Sequence, residues 1–372
     1  MNFKTDCRHF HGDVPCAPGK ICENCDDYVA VKNRILLVKL GAMGDVLRTT
    51  PCLRKLRSQY EPCRLTWVVE SESAPLLKHN PMVDRVVVWG PEALARVMVE
   101  EYELVVGLDK DPGAAALVTI ARSQKKLGFA LDTSGAITFL NKAAEYAHRL
   151  GLDDELKFRL NKKTYQEMIF DIMGLDWNMD DYELHLPPDA VSRGKSFIES
   201  VTQKGSGPII GFNPGAGPRW PLKKWTIEGF ASLADRLAEK MNARIIILGA
   251  PVDRERNSRI AELAKSPVSL ANHEMDILTF AGALAALDAV VTGDTVAMHL
   301  GLAVHTPTVC IFGPTSPVEV ETYGRGVKVI TPLECAPCYK TQCERSPSCM
   351  ELIGVETVFE SLCRVLKNKD AL

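Results

Sequence analysis

The chain has 372 residues, 46% of them hydrophobic and 24% charged, which is ordinary for a globular protein long enough for two domains. That composition excludes a disordered chain, a collagen and a miniature disulfide scaffold. Lysine and arginine total 44 against 47 acidic residues, a formal charge of −3, so no global basic field exists and nucleic acid is not an expected partner.

Met1 to Arg8 is polar and no apolar core follows it, so no signal peptide is expected. Thr295 to Val318 is the longest uncharged stretch, but His299, His305 and Pro307 interrupt it. It reads as a buried helix and strand rather than a membrane span, and the chain reads as cytosolic. Twelve cysteines are many for a reducing compartment, and eight of them cluster. Cys7, Cys16, Cys22 and Cys25, with His9 and His11 among them, form one set. Cys335, Cys338, Cys343 and Cys349 form the other. Their C-x2-C spacings suit four thiolates on a structural zinc or an iron–sulfur cluster, against the plainer alternative of reduced or disulfide-bonded cysteines. Cys52, Cys63, Cys310 and Cys363 sit in apolar contexts and are expected to pack as small hydrophobes.

Behind the head the pattern alternates. Arg34 to Leu40 is an apolar run of strand length, and Asp45 to Tyr60 has helical spacing. Leu65 to Val69, Arg85 to Trp89 and Leu104 to Leu108 are further strands of the continuous type that parallel sheets bury on both faces. From Asn141 to Gly174 the pattern is mostly helical. His185 to Asp189 and Lys204 to Pro208 are breakers, and a linker is expected between them. A second run of alternating strands and helices starts at Ile209 and ends in an amphipathic helix, Val355 to Lys367. The expected organisation is α/β: a Cys-rich N-terminal extension (1–32), a Rossmann-like domain (33–190), a second (205–354) and a terminal helix (355–372), the two domains facing across a cleft.

Three loops carry chemistry. The turn after the first strand holds Gly41, Gly44 and Asp45, without the G-x-G-x-x-G of a dinucleotide site. Asp45 there is either an N-cap or a general base. Asn213 to Trp225 is a glycine-rich loop with Gly215, Lys223 and Lys224, suited to an anionic phosphate unless its lysines merely face water. Gly293 to His299 opens a helix whose amides suit a diphosphate, although Asp294 or Thr295 can simply cap it and His299 can be a core histidine. Arg54, Lys55 and Arg57 read as a solvated helix face. Arg48 lies one turn from Asp45 and is a candidate contact for a negatively charged acceptor.

The order of ILLVKLGAMGDVLRTTPCL, GFNPGAGPRWPLKKW and TGDTVAMHLGLAVHTPTVCIFGPTSP resembles glycosyltransferase family 9, the heptosyltransferase-like group of lipopolysaccharide core synthesis. The resemblance spans roughly residues 34 to 362. It implies a GT-B fold with the acceptor on the N-terminal domain and the nucleotide sugar on the C-terminal one. It also implies inverting transfer with no cofactor or metal in the chemical step. It assigns Asp45 as base, and Lys223, Asp294, Thr295 and His299 as donor ligands on the phosphates. Gly215 lies in the donor loop. Asp253, with Glu255 as the alternative, is the acid for the ribose. The chain departs from the founding heptosyltransferases at Arg48, where they have histidine, and at Val296, where they have glycine; sugar and acceptor therefore stay open. The expected donor is ADP-heptose and the expected acceptor a lipopolysaccharide-core or related glycolipid or oligosaccharide. A lipid-linked acceptor implies transient contact with the inner face of the cytoplasmic membrane. The alternatives are a UDP or GDP donor, a nucleotide-sugar epimerase on the same scaffold, or an assembly protein built on the cysteine sets.

Overall fold

The computed structural model describes residues 3–10, 12, 14–16, 21–217, 219–271 and 274–369. His11 lies outside the described residues. The chain divides into two units, Met1–Asp153 with Gln166–Glu183, and Asp154–Tyr165 with Leu184–Leu372.

The first unit is built on β1 (Asn33–Val38), β2 (Cys63–Val69), β3 (Arg85–Val88), β4 (Glu101–Gly107), β5 (Arg122–Leu131) and β6 (Ile137–Phe139), in the order β3-β2-β1-β4-β5-β6. All neighbours are parallel except β5 and β6. Ile35, Leu36, Leu37 and Val38 are fully buried, as a central parallel strand covered on both faces requires. Leu36 and Val38 pack with Val68, Val105, Leu117 and Val118 into one apolar cluster.

The second unit repeats the plan with β7 (Ile209–Asn213), β8 (Arg244–Leu248), β9 (Val268–Ala271), β10 (Ala289–Gly293), β11 (Thr308–Phe312) and β12 (Gly326–Ile330). Their order is β12-β11-β10-β7-β8-β9 and all are parallel. Helix Val355–Lys369 lays Val358, Leu362 and Val365 into the core of this unit, beside Phe212, Trp225 and Phe230. The Trp225 indole N–H donates to the Ile353 carbonyl at 3.0 Å, which satisfies the ring nitrogen of a buried tryptophan.

Each sheet reverses direction between two adjacent strands, β1 and β4 in the first and β7 and β10 in the second. At such a reversal the following helices go to opposite faces and leave a crevice beyond the strand ends. The loops singled out in the sequence follow β1, β7 and β10.

Several segments differ from expectation. The stretch expected as a linker carries helix Pro188–Val201, started by a proline in its first turn. Its small residues fall at helical spacing. Ala190, Gly194 and Ile198 are buried, and a Cβ on Gly194 would meet the Ala283 nitrogen at 2.2 Å. This helix therefore docks on Ile277–Ala285 backbone to backbone. Between Asn141 and Gly174 stand helices Lys142–Arg149 and Tyr165–Met173, separated by a π-helical turn at Leu156–Leu160. Arg57 is not on the solvated face. It is buried, held by Asp84 at 2.7 Å and Glu61 at 2.8 Å. Burial alone would lower the proton affinity of its guanidinium, but the Asp84 and Glu61 carboxylates outweigh that and raise it.

The expected metal sites gain no support among the described residues. Among the described residues no group of three or more His, Cys, Asp or Glu side chains is placed to hold a metal ion. Cys7 is buried in a bridge with Ala30, and its carbonyl accepts from Arg64, whereas Cys16 is exposed. Burial pushes the Cys349 thiol up to about 11, with Cys338, Cys343 and Cys335 adding to the effect, so the second set shares one neighbourhood. Yet Cys349 is packed inward whereas Cys343 is exposed. Also among the described residues, no helix is long and apolar enough to cross a membrane.

The docked helix gives a direct test. Gly194→Ala places a methyl group against backbone that cannot yield, so it should cost about 1–3 kcal/mol, the usual range for overpacking. A urea midpoint equal to that of the parent would refute the backbone-to-backbone contact.

Candidate active site

In the first unit the chain leaves β1 at Lys39 and turns into helix Met43–Thr49. The N-cap is Ala42, without a side-chain cap bond, so Asp45 is not the cap. It lies in the first turn, its side chain 34% exposed, and its carboxylate meets two cations. Arg48 reaches Oδ1 through Nη2 at 2.8 Å and Nε at 3.1 Å, and Lys39 Nζ lies 3.7 Å from Oδ2. Arg48 is thus placed on Asp45 itself.

Lys39 is buried, at 3% exposure, and a buried ammonium needs a counter-charge. It donates to Asp109 Oδ1 at 2.7 Å. Asp109 Oδ2 accepts from the Leu40 amide at 2.6 Å and more weakly from the Gly41 amide at 3.4 Å. Asp109 follows β4, the strand across the reversal from β1. It therefore ties the turn that presents Asp45 to the neighbouring strand end. Sequence reasoning missed both Lys39 and Asp109. Two signals were available: a lysine closing an otherwise apolar strand, and an acid just beyond the next buried strand.

In the second unit the loops after β7 and β10 meet. Lys223 ends a short 3-10 turn, Pro221–Lys223. Its ammonium donates to Asp294 Oδ2 at 2.8 Å and to the Asp294 carbonyl at 3.2 Å. Burial would raise the Asp294 carboxyl, but the positive charges of Lys223 and His299 prevail and hold it below the usual carboxylate range. With a depressed value, the stability this pair adds is present above the ordinary carboxylate value of 3.8 and is lost as pH falls below it.

Thr295 is the N-cap of helix Val296–Ala303, with extended backbone and no side-chain cap bond. Its hydroxyl is 3.1 Å from that of Thr292 instead. The first-turn amides are thus not covered by the cap side chain, which is the arrangement that suits an anion at a helix start. His299 is buried one turn into the helix, next to Asp294 in the electrostatic sense described above.

Gly215 and Asp253 come together. A Cβ on Gly215 would meet the Asp253 carboxylate at 2.4 Å, so only glycine fits the loop there. Asp253 is buried in turn Pro251–Asp253 after β8 and accepts from the Ala250 amide at 3.3 Å, while Glu255 is exposed. One turn on, Arg256 donates to the carbonyls of Pro214, at 3.3 Å, and Trp225, anchoring both ends of the glycine-rich loop. Arg256 was not legible as a loop anchor, because its partners are backbone carbonyls distant in sequence.

Comparison with known proteins gives one answer. The model of glycosyltransferase family 9 (heptosyltransferase) matches residues 92–348. Lipopolysaccharide heptosyltransferase 1 of Pseudomonas aeruginosa is 26% identical over 328 residues, 85% of this chain and 88% of that protein. Among solved structures, a family 9 glycosyltransferase from Veillonella parvula superposes with a TM-score of 0.69 at 19% identity, over 91% of this chain and 99% of the other. The ADP-heptose lipopolysaccharide heptosyltransferase II of E. coli gives 0.67 at 18% identity, over 91% and 99%. These likenesses in structure give the GT-B fold, and the family match gives the enzyme class. The chain belongs to glycosyltransferase family 9 and is a glycosyltransferase.

Proposed function

We propose that the protein moves a heptose from ADP-heptose to a hydroxyl of a lipopolysaccharide-core or related glycolipid acceptor, with inversion and with no metal in the chemical step. The observation that carries this reading is the Lys223–Asp294 pair at the start of helix Val296–Ala303. A lysine ammonium has three N–H donors, and Asp294 takes two of them. The third, with the amides of the first helical turn, is what a leaving diphosphate needs as its charge develops. Lys223 and the helix start then do the work a divalent cation does elsewhere. Asp253, buried beside Gly215, is the acid for the ribose hydroxyls.

Asp45 takes the proton of the acceptor hydroxyl as it attacks the anomeric carbon. The C–O bond to the acceptor forms while the bond to the diphosphate breaks, and the proton ends on the carboxylate. Lys39 and Arg48 fix the orientation of that carboxylate, and Asp109 fixes Lys39. Arg48, one turn from Asp45, is the proposed contact for an anionic acceptor. An acceptor in a lipid leaflet would bring the enzyme into transient contact with the inner face of the cytoplasmic membrane. The ADP-heptose choice is supported by the E. coli heptosyltransferase II likeness and by the relatives' names.

Two measurements test this. Calorimetry with ADP, UDP and GDP should show selective ADP binding, and Lys223→Ala should weaken it by about 1.5–3 kcal/mol, the range for a charge-assisted hydrogen bond. Preference for another nucleotide would overturn the ADP donor, and an unchanged dissociation constant would overturn the role of Lys223. Asp45→Asn should lower kcat by at least about a hundredfold, the usual contribution of a general base, while ADP affinity stays within about twofold. Retention of most turnover would remove Asp45 as the base.

A further inference from the structure

The loop 331–350, which carries the second cysteine set, meets the 213–225 loop at Tyr339. Tyr339 has φ +52°, a left-handed conformation rare for tyrosine, so its surroundings hold it there. The Cys338 and Tyr339 amides both donate to the Pro314 carbonyl, at 2.9 and 2.8 Å, and the Ser316 amide donates to the Tyr339 hydroxyl at 3.3 Å. Its ring stacks on Phe158 at 5.7 Å between centroids and 10° between planes. It also meets Trp220 edge to face at 6.4 Å and 80°. Lys157 Nζ lies 3.7 Å from the Tyr339 ring centroid, and Lys223 Nζ lies 5.4 Å from that of Trp220. A continuous row of cations and aromatic rings thus runs from Lys157 through Tyr339 and Trp220 to the Lys223–Asp294 pair. Lys157, Phe158, Trp220 and Tyr339 are all only half-buried.

Sheet order says which part of a donor this row meets. The diphosphate site follows β10, and Asp253 follows β8, on the far side of β7. A nucleoside therefore extends from the phosphates toward β8. The rest of the donor is left on the opposite side, toward β11 and β12. Pro314 and Ser316 follow β11, and Tyr339 follows β12. From this we infer that Tyr339, Trp220 and Lys157 form the wall of the donor site that receives the transferred sugar, an inference that rests on the nucleotide-sugar reading above. A sugar offers C–H faces and hydroxyl groups. Aromatic rings take the former, and the Lys157 ammonium donates to the latter. The cysteine-bearing loop is then a specificity element, positioned by its backbone bonds to Pro314.

The test compares ADP with ADP-heptose in calorimetry on the full chain. Tyr339→Ala and Lys157→Met should each weaken ADP-heptose about tenfold and leave ADP within about twofold, with KM for the donor rising in step. Tyr339→Phe, which keeps the ring, should recover most of the loss. Equal weakening of both ligands would overturn the inference, since the row would then serve the nucleoside or the loop's fold. No effect of either substitution on ADP-heptose would overturn it as well while leaving the donor reading intact. Failure of the unsubstituted protein to bind ADP or ADP-heptose would overturn both.

Discussion

The constraint on which this structure depends is the reversal of strand order in each sheet. In the first unit the reversal lies between β1 and β4, and in the second between β7 and β10. Helices that follow two such strands cover opposite faces, so the strand ends between them stay uncovered. Backbone amides and charged side chains can be placed there without being sealed into the core. Lys39 and Asp45 leave from β1, and Asp109 leaves from β4. Asn213 and Lys223 leave from β7, and Asp294 and Thr295 leave from β10. Each unit therefore builds a polar site at the same topological position, from different residues.

The two sites also share an electrostatic design. Each puts one lysine of low exposure against a carboxylate from the strand across the reversal, Lys39 with Asp109 and Lys223 with Asp294. Ion pairs of this kind are a poor source of stability, because desolvation offsets much of the attraction. Their use here is positional. Asp109 also holds the Leu40 amide, and so the turn that presents Asp45. Asp294 holds the Lys223 ammonium through its carboxylate and its carbonyl, at the start of a helix whose cap side chain makes no bond to the amides. The charges are oriented before any ligand arrives, which is the condition under which they stabilise developing charge without reorganising.

Much of this was legible because burial on both faces leaves a plain mark in the chain. Ile35 to Val38 and Ala289 to Val291 are continuous apolar runs, and the loops behind them are where a ligand is sought. What was not legible depends on distant partners. Helix Pro188–Val201 looked like a linker because two of its three buried residues are alanine and glycine, which carry little hydrophobic signal; they are small because another backbone lies against them. Strand β12 was hidden by Lys328 at its centre, whose ammonium donates to the Pro317 carbonyl at 2.7 Å. Arg57 looked like a surface residue because Asp84, its closest partner, is 27 positions away. Asp109 was marked only as an acid beyond a buried strand, and its partner appears when β4 is laid beside β1.

The cysteine sets show the same limit from the other side, since spacing there gave a sharper expectation than the fold supports. Spacing says which thiols could meet; packing decides which do. Cys349 is drawn into the core against Gly313, where a Cβ would meet its sulfur at 2.8 Å. Cys343 stays exposed. The loop between them is instead fixed by backbone bonds to Pro314 and by Tyr339, which packs between Phe158 and Trp220. Its order thus comes from Pro314, Phe158 and Trp220, which lie far apart in sequence, and that is why the cysteine spacing could not announce it.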